Sequence, residues 1–141
     1  MLLTPAASPP WRFRLMALTA IAALVVVTVV VNASVARRHD RQWRAALVAD
    51  LRRLDDLQLA WDARVGSFAV RIAPVGDDST LAFAASTGVI LRFESRSPND
   101  WSAVAESEEP LAIPQRCGIY QGDPATPPHR AMTRPGEVSC W

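Results

Sequence analysis

Two cysteines, two histidines and a pair of adjacent aspartates are the residues of this chain whose types and positions could do chemistry. Cys117 and Cys140 both lie in the last quarter of the sequence. Isolated thiols in a reducing compartment are usually unpaired core residues, whereas in an oxidising one they pair. A bridge here closes a loop of about two dozen residues and stabilises by about 3–4 kcal/mol in the chain-entropy account. A small domain needs such a staple, so a Cys117–Cys140 disulfide is expected. Metal binding asks for more ligands than two cysteines and the distant His39 and His129 supply at recognised spacings. Asp55 and Asp56 are neighbours on a helical stretch, point in different directions and make no acid–base pair. They are expected on a solvated face. Ser34, Ser67 and Ser102 have no histidine in a recognisable arrangement for nucleophilic catalysis. His39 and His129 are expected to be solvent-exposed, and there is no Gly-rich phosphate loop. The expectation is a protein that is not an enzyme, with no catalytic, cofactor-binding or metal-binding residues and no small-molecule substrate.

The elements that position these residues begin with a run of seventeen uncharged residues, Leu15 to Val31. Arg12 and Arg14 precede it, and Arg37, Arg38, Arg41 and Arg44 follow. As a helix it covers about 25 Å, near the lower limit for crossing a bilayer core, and residues 32–36 add an interfacial turn. The lipid bilayer is therefore the first partner expected. The chain has 141 residues and a net charge of +1, leaving room for one small domain beyond the apolar segment. All fifteen basic residues are Arg, yet acidic residues are interspersed with them and no basic block alternates with aromatics. No nucleic-acid partner is expected.

Two readings compete for residues 1–36. One is a retained anchor; the other is a cleaved secretory signal ending at Ser34-Val35-Ala36. Seventeen apolar residues exceed the usual hydrophobic region of a signal, which is about 7–15 residues, and this favours retention. Orientation is contested too. The arginines after the apolar run place the C-terminal part in the cytoplasm by the positive-inside rule, while paired cysteines place it outside. The cysteines take precedence here, giving an inner-membrane protein with an extracytoplasmic, periplasmic domain.

Residues 1–11 are rich in Pro and Ala without periodicity and read as a disordered tail, followed by a transmembrane helix over 12–36 and a domain over 37–141. Trp43, Leu47, Leu51, Leu54, Trp61 and Val65 recur at helical steps, with Gln58 filling one gap. No Pro or Gly interrupts residues 12–65, so one unbroken helix is expected, stopped by Gly66. Trp43 suits either an interfacial anchor or the start of the helix–sheet core. Phe68, Val70 and Ile72 alternate with Ala69 and Arg71 as a strand would, up to Pro74 and a turn at Gly76-Asp77-Asp78. Residues 80–85 are ambiguous. Residues 88–106 read as a β-hairpin around Ser97-Pro98-Asn99-Asp100, with Trp101 to Glu106 alternating. A short strand Cys117–Tyr120, a Pro/Gly-rich surface loop over 122–136 and an edge strand Glu137–Trp141 complete the chain. The fold class is α+β, a long N-terminal helix packed on a small antiparallel sheet of residues 67–141. Expected core residues are Leu47, Leu51, Leu54, Trp61, Phe68 and Trp101.

This arrangement resembles the type IV pilin fold, over about residues 43–141. Asp50-Leu51-Arg52-Arg53-Leu54, then Gln58, Trp61 and Gly66-Ser67-Phe68, is similar to the pilin pattern in which a DLxxL segment precedes an aromatic and a G-(S/T)-aromatic helix end. Ser86-Thr87-Gly88-Val89, Trp101 to Ala105, Cys117-Gly118-Ile119-Tyr120 and Glu137-Val138-Ser139-Cys140 look like the sheet and disulfide region of small bacterial pilin-like proteins. Type IV pilins also carry a Gly-Phe-Thr-Leu-Ile-Glu-type segment, cut after its Gly, whose Glu registers neighbouring subunits. Here the first Gly is Gly66 and the first Glu is Glu94, so the cleavage signal and the buried carboxylate are both missing. The resemblance implies a pilin-like domain on a permanent anchor, accessory to a pilus or a type II secretion-like assembly. Its partners would be other pilin-like subunits, met through the N-terminal helix. The alternative is an envelope binding module for which the helix is only a tether.

Overall fold

A computed structural model describes residues 10–111, 115–122 and 129–141. The chain divides into two compact units, one ending at Arg38 and one starting at His39. The long helix α1 (Pro10–Val65) contributes to both. Of the expected tail, residues 1–9 lie outside the described residues, but Pro10 and Trp11 already belong to α1. A proline is compatible with the first helical position, where its missing N–H would have had no helical partner.

In the first unit α1 is apolar on every face. Leu18, Leu24, Val26 and Val29 are each more than half exposed, and this one helix is long and apolar enough to cross a membrane. Its hydroxyls are satisfied internally: Thr28 Oγ1 donates to the Leu24 carbonyl and Ser34 Oγ to that of Val30, both at 2.8 Å. Such back-bonding keeps these hydroxyl donors partnered on an apolar surface.

In the second unit the helix changes character. Leu47, Leu51, Leu54, Gln58 and Trp61 form a buried stripe at three- and four-residue steps. Gly66 ends the helix with a φ of +79°, and its N–H bonds the Asp62 carbonyl at 2.7 Å. A side chain is rarely tolerated in that left-handed conformation, which explains a glycine at the stop.

Strands β3 (Val89–Arg96), β4 (Trp101–Ser107), β5 (Arg116–Gln121) and β6 (Ser139–Cys140) form an antiparallel sheet in that order. The β3–β4 turn is closed by Ser97, whose N–H bonds the Asp100 carbonyl at 2.8 Å and whose Oγ donates to Asp100 Oδ2 at 2.6 Å. A register shift between Phe93 and Ser95 marks a bulge. There the Ser95 N–H bonds the Oγ of the buried Ser102 at 3.1 Å, which accounts for a polar residue inside the sheet. On the helix side Trp101, Ala103 and Ala105 of β4 and Cys117 and Ile119 of β5 meet the leucine stripe. Alanines on the central strand let a leucine-lined helix approach closely.

The α+β class, the single helix and the antiparallel sheet agree with the sequence, but three details differ. The expected strand Phe68–Ile72 is mostly irregular, and only β1 (Ile72–Ala73) forms, paired in parallel with β2 (Leu81–Ala82). Strand β4 is buried on both faces from Trp101 to Ala105 instead of alternating. The edge strand expected over Glu137–Trp141 shortens to β6.

The double burial of β4 traces to residues 129–141, part of which covers the far side of the sheet. There Met132 and Trp141 join Val104 and Tyr120 in a second apolar cluster. The loop expected over 122–136 therefore packs in its second part: the Gly136 N–H bonds the Tyr120 carbonyl at 2.8 Å. Residues 123–128 of that loop lie outside the described residues.

Candidate functional site

Cys117 and Cys140 form a disulfide, with an S–S distance of 2.02 Å and Cα atoms 4.0 Å apart. They are direct cross-strand partners of β5 and β6. Beside them Arg116 and Trp141 exchange two backbone hydrogen bonds of 2.9 Å, so the cysteines occupy the adjacent non-hydrogen-bonded position, where side chains come closest. The bridge fixes the two-residue β6 to the sheet and with it the indole of Trp141.

Trp141 stacks on His129 with ring centroids 3.9 Å apart and planes 11° apart. His129 is half-buried in that stack, not freely solvated as expected. Gly118 lies beneath the cluster, and a Cβ there would collide with Met132 Cε and come 2.9 Å from Trp141 Cη2. Glycine at this strand position is therefore a packing requirement.

Three polar side chains on α1 tie the helix to the rest of the second unit. Asp50, almost fully buried, accepts from the Ser86 N–H at 2.6 Å, Ser86 Oγ at 2.8 Å and Arg53 Nη2 at 3.0 Å. Arg53 in turn lies over the Phe83 ring at 4.9 Å. Gln58 is fully buried and holds both backbone groups of Ala69, accepting its N–H at 2.8 Å and donating to its carbonyl at 3.1 Å. Asp55 accepts from Gln121 Nε2 at 2.8 Å. Burial raises the Asp55 carboxyl above the usual value, with the Asp56 charge adding to this and the Gln121 hydrogen bond opposing it. Asp55 is thus half-buried at a helix–sheet contact and not on the solvated face expected for it. In the β1–β2 connection the Ser79 backbone N–H, 2.7 Å from the exposed Asp77 carboxylate, holds that group below its usual range, aided by the Ser79 hydroxyl.

The expected core residues come together as foreseen. Leu47, Leu51, Leu54, Trp61 and Trp101 are buried, and Phe68 packs partly buried against them. Trp43 also joins this core, with its ring against Gly88. His39, expected in solvent, is half-buried, with Nε2 within hydrogen-bond distance of both Trp43 Nε1 and Glu109 Oε2. Sequence reasoning missed Ser86, Gln121 and Glu109 as partners because each meets α1 across 36 to 70 residues of chain. Only the buried-stripe position of Gln58 signalled a polar contact in advance.

A cavity of about 510 Å³ opens beside the end of β4, lined by Glu106, Glu109, Leu111, Gln115, Arg116 and Trp141. Arg116 pairs there with Glu106 at 3.4 Å. The described walls hold the Glu106 and Glu109 carboxylates, the Ser107 hydroxyl and one engaged guanidinium, an arrangement that can bind polar groups. Among the described residues, no three His, Cys, Asp or Glu side chains cluster as metal ligands would. No protein-family model matches the chain, and neither does any curated protein or solved structure.

Proposed function

We propose that this chain is a single-pass membrane-anchored structural or interaction protein, with a pilin-like domain on the extracytoplasmic side of a bacterial inner membrane. Its role is non-enzymatic. The observation that carries the proposal is the division of labour along α1. An apolar half exposed on every face continues without a break into a half whose buried stripe supports a disulfide-pinned antiparallel sheet. A surface of that apolarity needs lipid or other helices around it. A disulfide in so small a domain supports an oxidising compartment.

With no carboxylate in the apolar segment to register neighbours, the helix serves as a permanent anchor. Association with other pilin-like subunits then rests on helix packing over residues 15–60, as an accessory of a pilus or a type II secretion-like assembly. The cavity beside β4 favours a second reading, an envelope binding module held at the membrane by the same helix.

The test is thiol labelling of Cys117 and Cys140 in intact cells before and after reduction, with the mass of the same protein determined. Thiols that react only after reduction, in a chain of uncleaved mass, are the expected result. Thiols free to react at once would place the domain in the cytoplasm, as the arginines after the apolar run suggest. That result would remove the basis of the proposal.

A further inference from the structure

At the start of the second unit one ring nitrogen faces two partners that it cannot serve together. His39 Nε2 lies 3.0 Å from Trp43 Nε1, one turn along α1, and 3.1 Å from Glu109 Oε2, in the segment after β4. An indole nitrogen only donates, and an ionised carboxylate only accepts. A bare Nε2 accepts the Trp43 proton with its single lone pair and offers the Glu109 carboxylate no proton. A protonated Nε2 donates to Glu109 and leaves the indole N–H pointing at another donor. One proton therefore decides which bond exists.

The surroundings also decide which nitrogen changes state. In the neutral ring the Trp43 N–H, 3.0 Å from Nε2, calls for a bare Nε2 and a proton on Nδ1, the nitrogen 3.9 Å from Asp40 Oδ1, so Nε2 is the nitrogen that gains or loses one. Charged groups that face the ring include Asp40 from α1 and Glu109 from the segment after β4. With its imidazole partly exposed, His39 can exchange protons with solvent.

We propose that His39 is a proton-operated latch between α1 and the segment after β4. Charged, it binds that segment through a charge-assisted hydrogen bond to Glu109; neutral, it returns to Trp43 on its own helix and lets Glu109 go. The indole is coupled to the same segment by a second path. It packs so closely on Gly88 that a Cβ there would collide with Trp43 Cη2. The Gly88 carbonyl in turn accepts the Glu108 N–H at 2.7 Å. A change at Nε2 thus reaches the residue before Glu109 through Trp43 and Gly88, and Glu109 itself directly. The latch depends on neither the membrane nor the partner proposal.

The experiment is a pH titration of the full-length chain in detergent micelles between about pH 5 and 8.5, following the histidine rings and the ¹⁵N-labelled indoles and amides. The Trp43 indole resonance, assigned by its loss in Trp43→Phe, is expected to move with the same midpoint as the His39 ring and the Glu109 amide. Glu109→Gln, an exposed substitution, is expected to shift that shared midpoint toward lower pH by removing the charge that the imidazolium faces. His39→Gln is expected to abolish the movement at both Trp43 and Glu109. A Trp43 indole that stays fixed while His39 titrates overturns the latch. So does the same movement persisting in His39→Gln, or a midpoint unchanged in Glu109→Gln.

Discussion

At the scale of single residues, the second unit is organised by polar side chains that each resolve a local problem of burial. Asp55 is the one that does so at a cost. Its carboxylate sits half-buried beside β5, takes one hydrogen bond from Gln121, and still has its pKa raised by desolvation. In the unfolded chain the carboxyl ionises at its ordinary value, so between that value and the raised native one the folded state binds more protons. Stability contributed by this residue therefore falls as pH rises through that window, and the penalty is complete above it. Asp55→Asn keeps an oxygen for Gln121 and removes the charge. The variant should match the parent near pH 3 and exceed it at pH 7, by less than about 1 kcal/mol because the site is partly solvated. Urea unfolding at the two pH values checks this; a gain of equal size at both would show that packing, and not ionisation, separates the two proteins.

At the scale of elements, the sheet has two covered faces, and the second depends on one missing side chain. Gly118 leaves room for Met132 and Trp141 to lie on β4 and β5. Gly118→Ala should cost about 1–3 kcal/mol through overpacking. Met132→Ala alone should cost about 2–5 kcal/mol through the cavity it leaves. The two together should cost less than their sum, since the added methyl occupies space that the methionine vacates. Simple additivity in denaturant unfolding would argue against this packing account.

The same elements show what the sequence makes legible. Helix α1 and the β3–β4 hairpin could be read because their periodicity, stop glycine and turn residues are local signals. The stretch after Gly66 reads as a strand because its alternation is real, yet Ala69 finds its hydrogen bonds on the Gln58 side chain and not on a neighbouring strand. The double burial of β4 was hidden because its cover comes from residues 129–141, where one Met and one Trp carry the packing without any period. The Asp50–Ser86 and His39–Glu109 contacts are products of tertiary approach, to which no spacing in the chain points.

At the scale of the whole molecule, the buried apolar residues all fall at or after Leu47, and the polar residues buried with them at or after Asp40. Among the described residues, those up to Arg38 contribute none of these, and their large apolar side chains are exposed. The fold of the second unit should therefore not require the apolar segment. A chain lacking residues 1–36 should be soluble without detergent, retain the Cys117–Cys140 bridge and give the near-UV circular dichroism of ordered tryptophans, since Trp43, Trp61, Trp101 and Trp141 all remain in packed positions. The full chain should need detergent, because its apolar helix half exposes a surface that water does not tolerate. Gel filtration of the two then separates the roles proposed for the protein. A truncated chain that is monomeric beside a self-associating full chain assigns association to the helix, as an assembly subunit requires. If both are monomeric, the helix is only a tether, and the binding-module reading takes over. A truncated chain that precipitates or loses its near-UV signal would mean that the first unit supports the domain, against the distribution of buried residues from which the prediction starts.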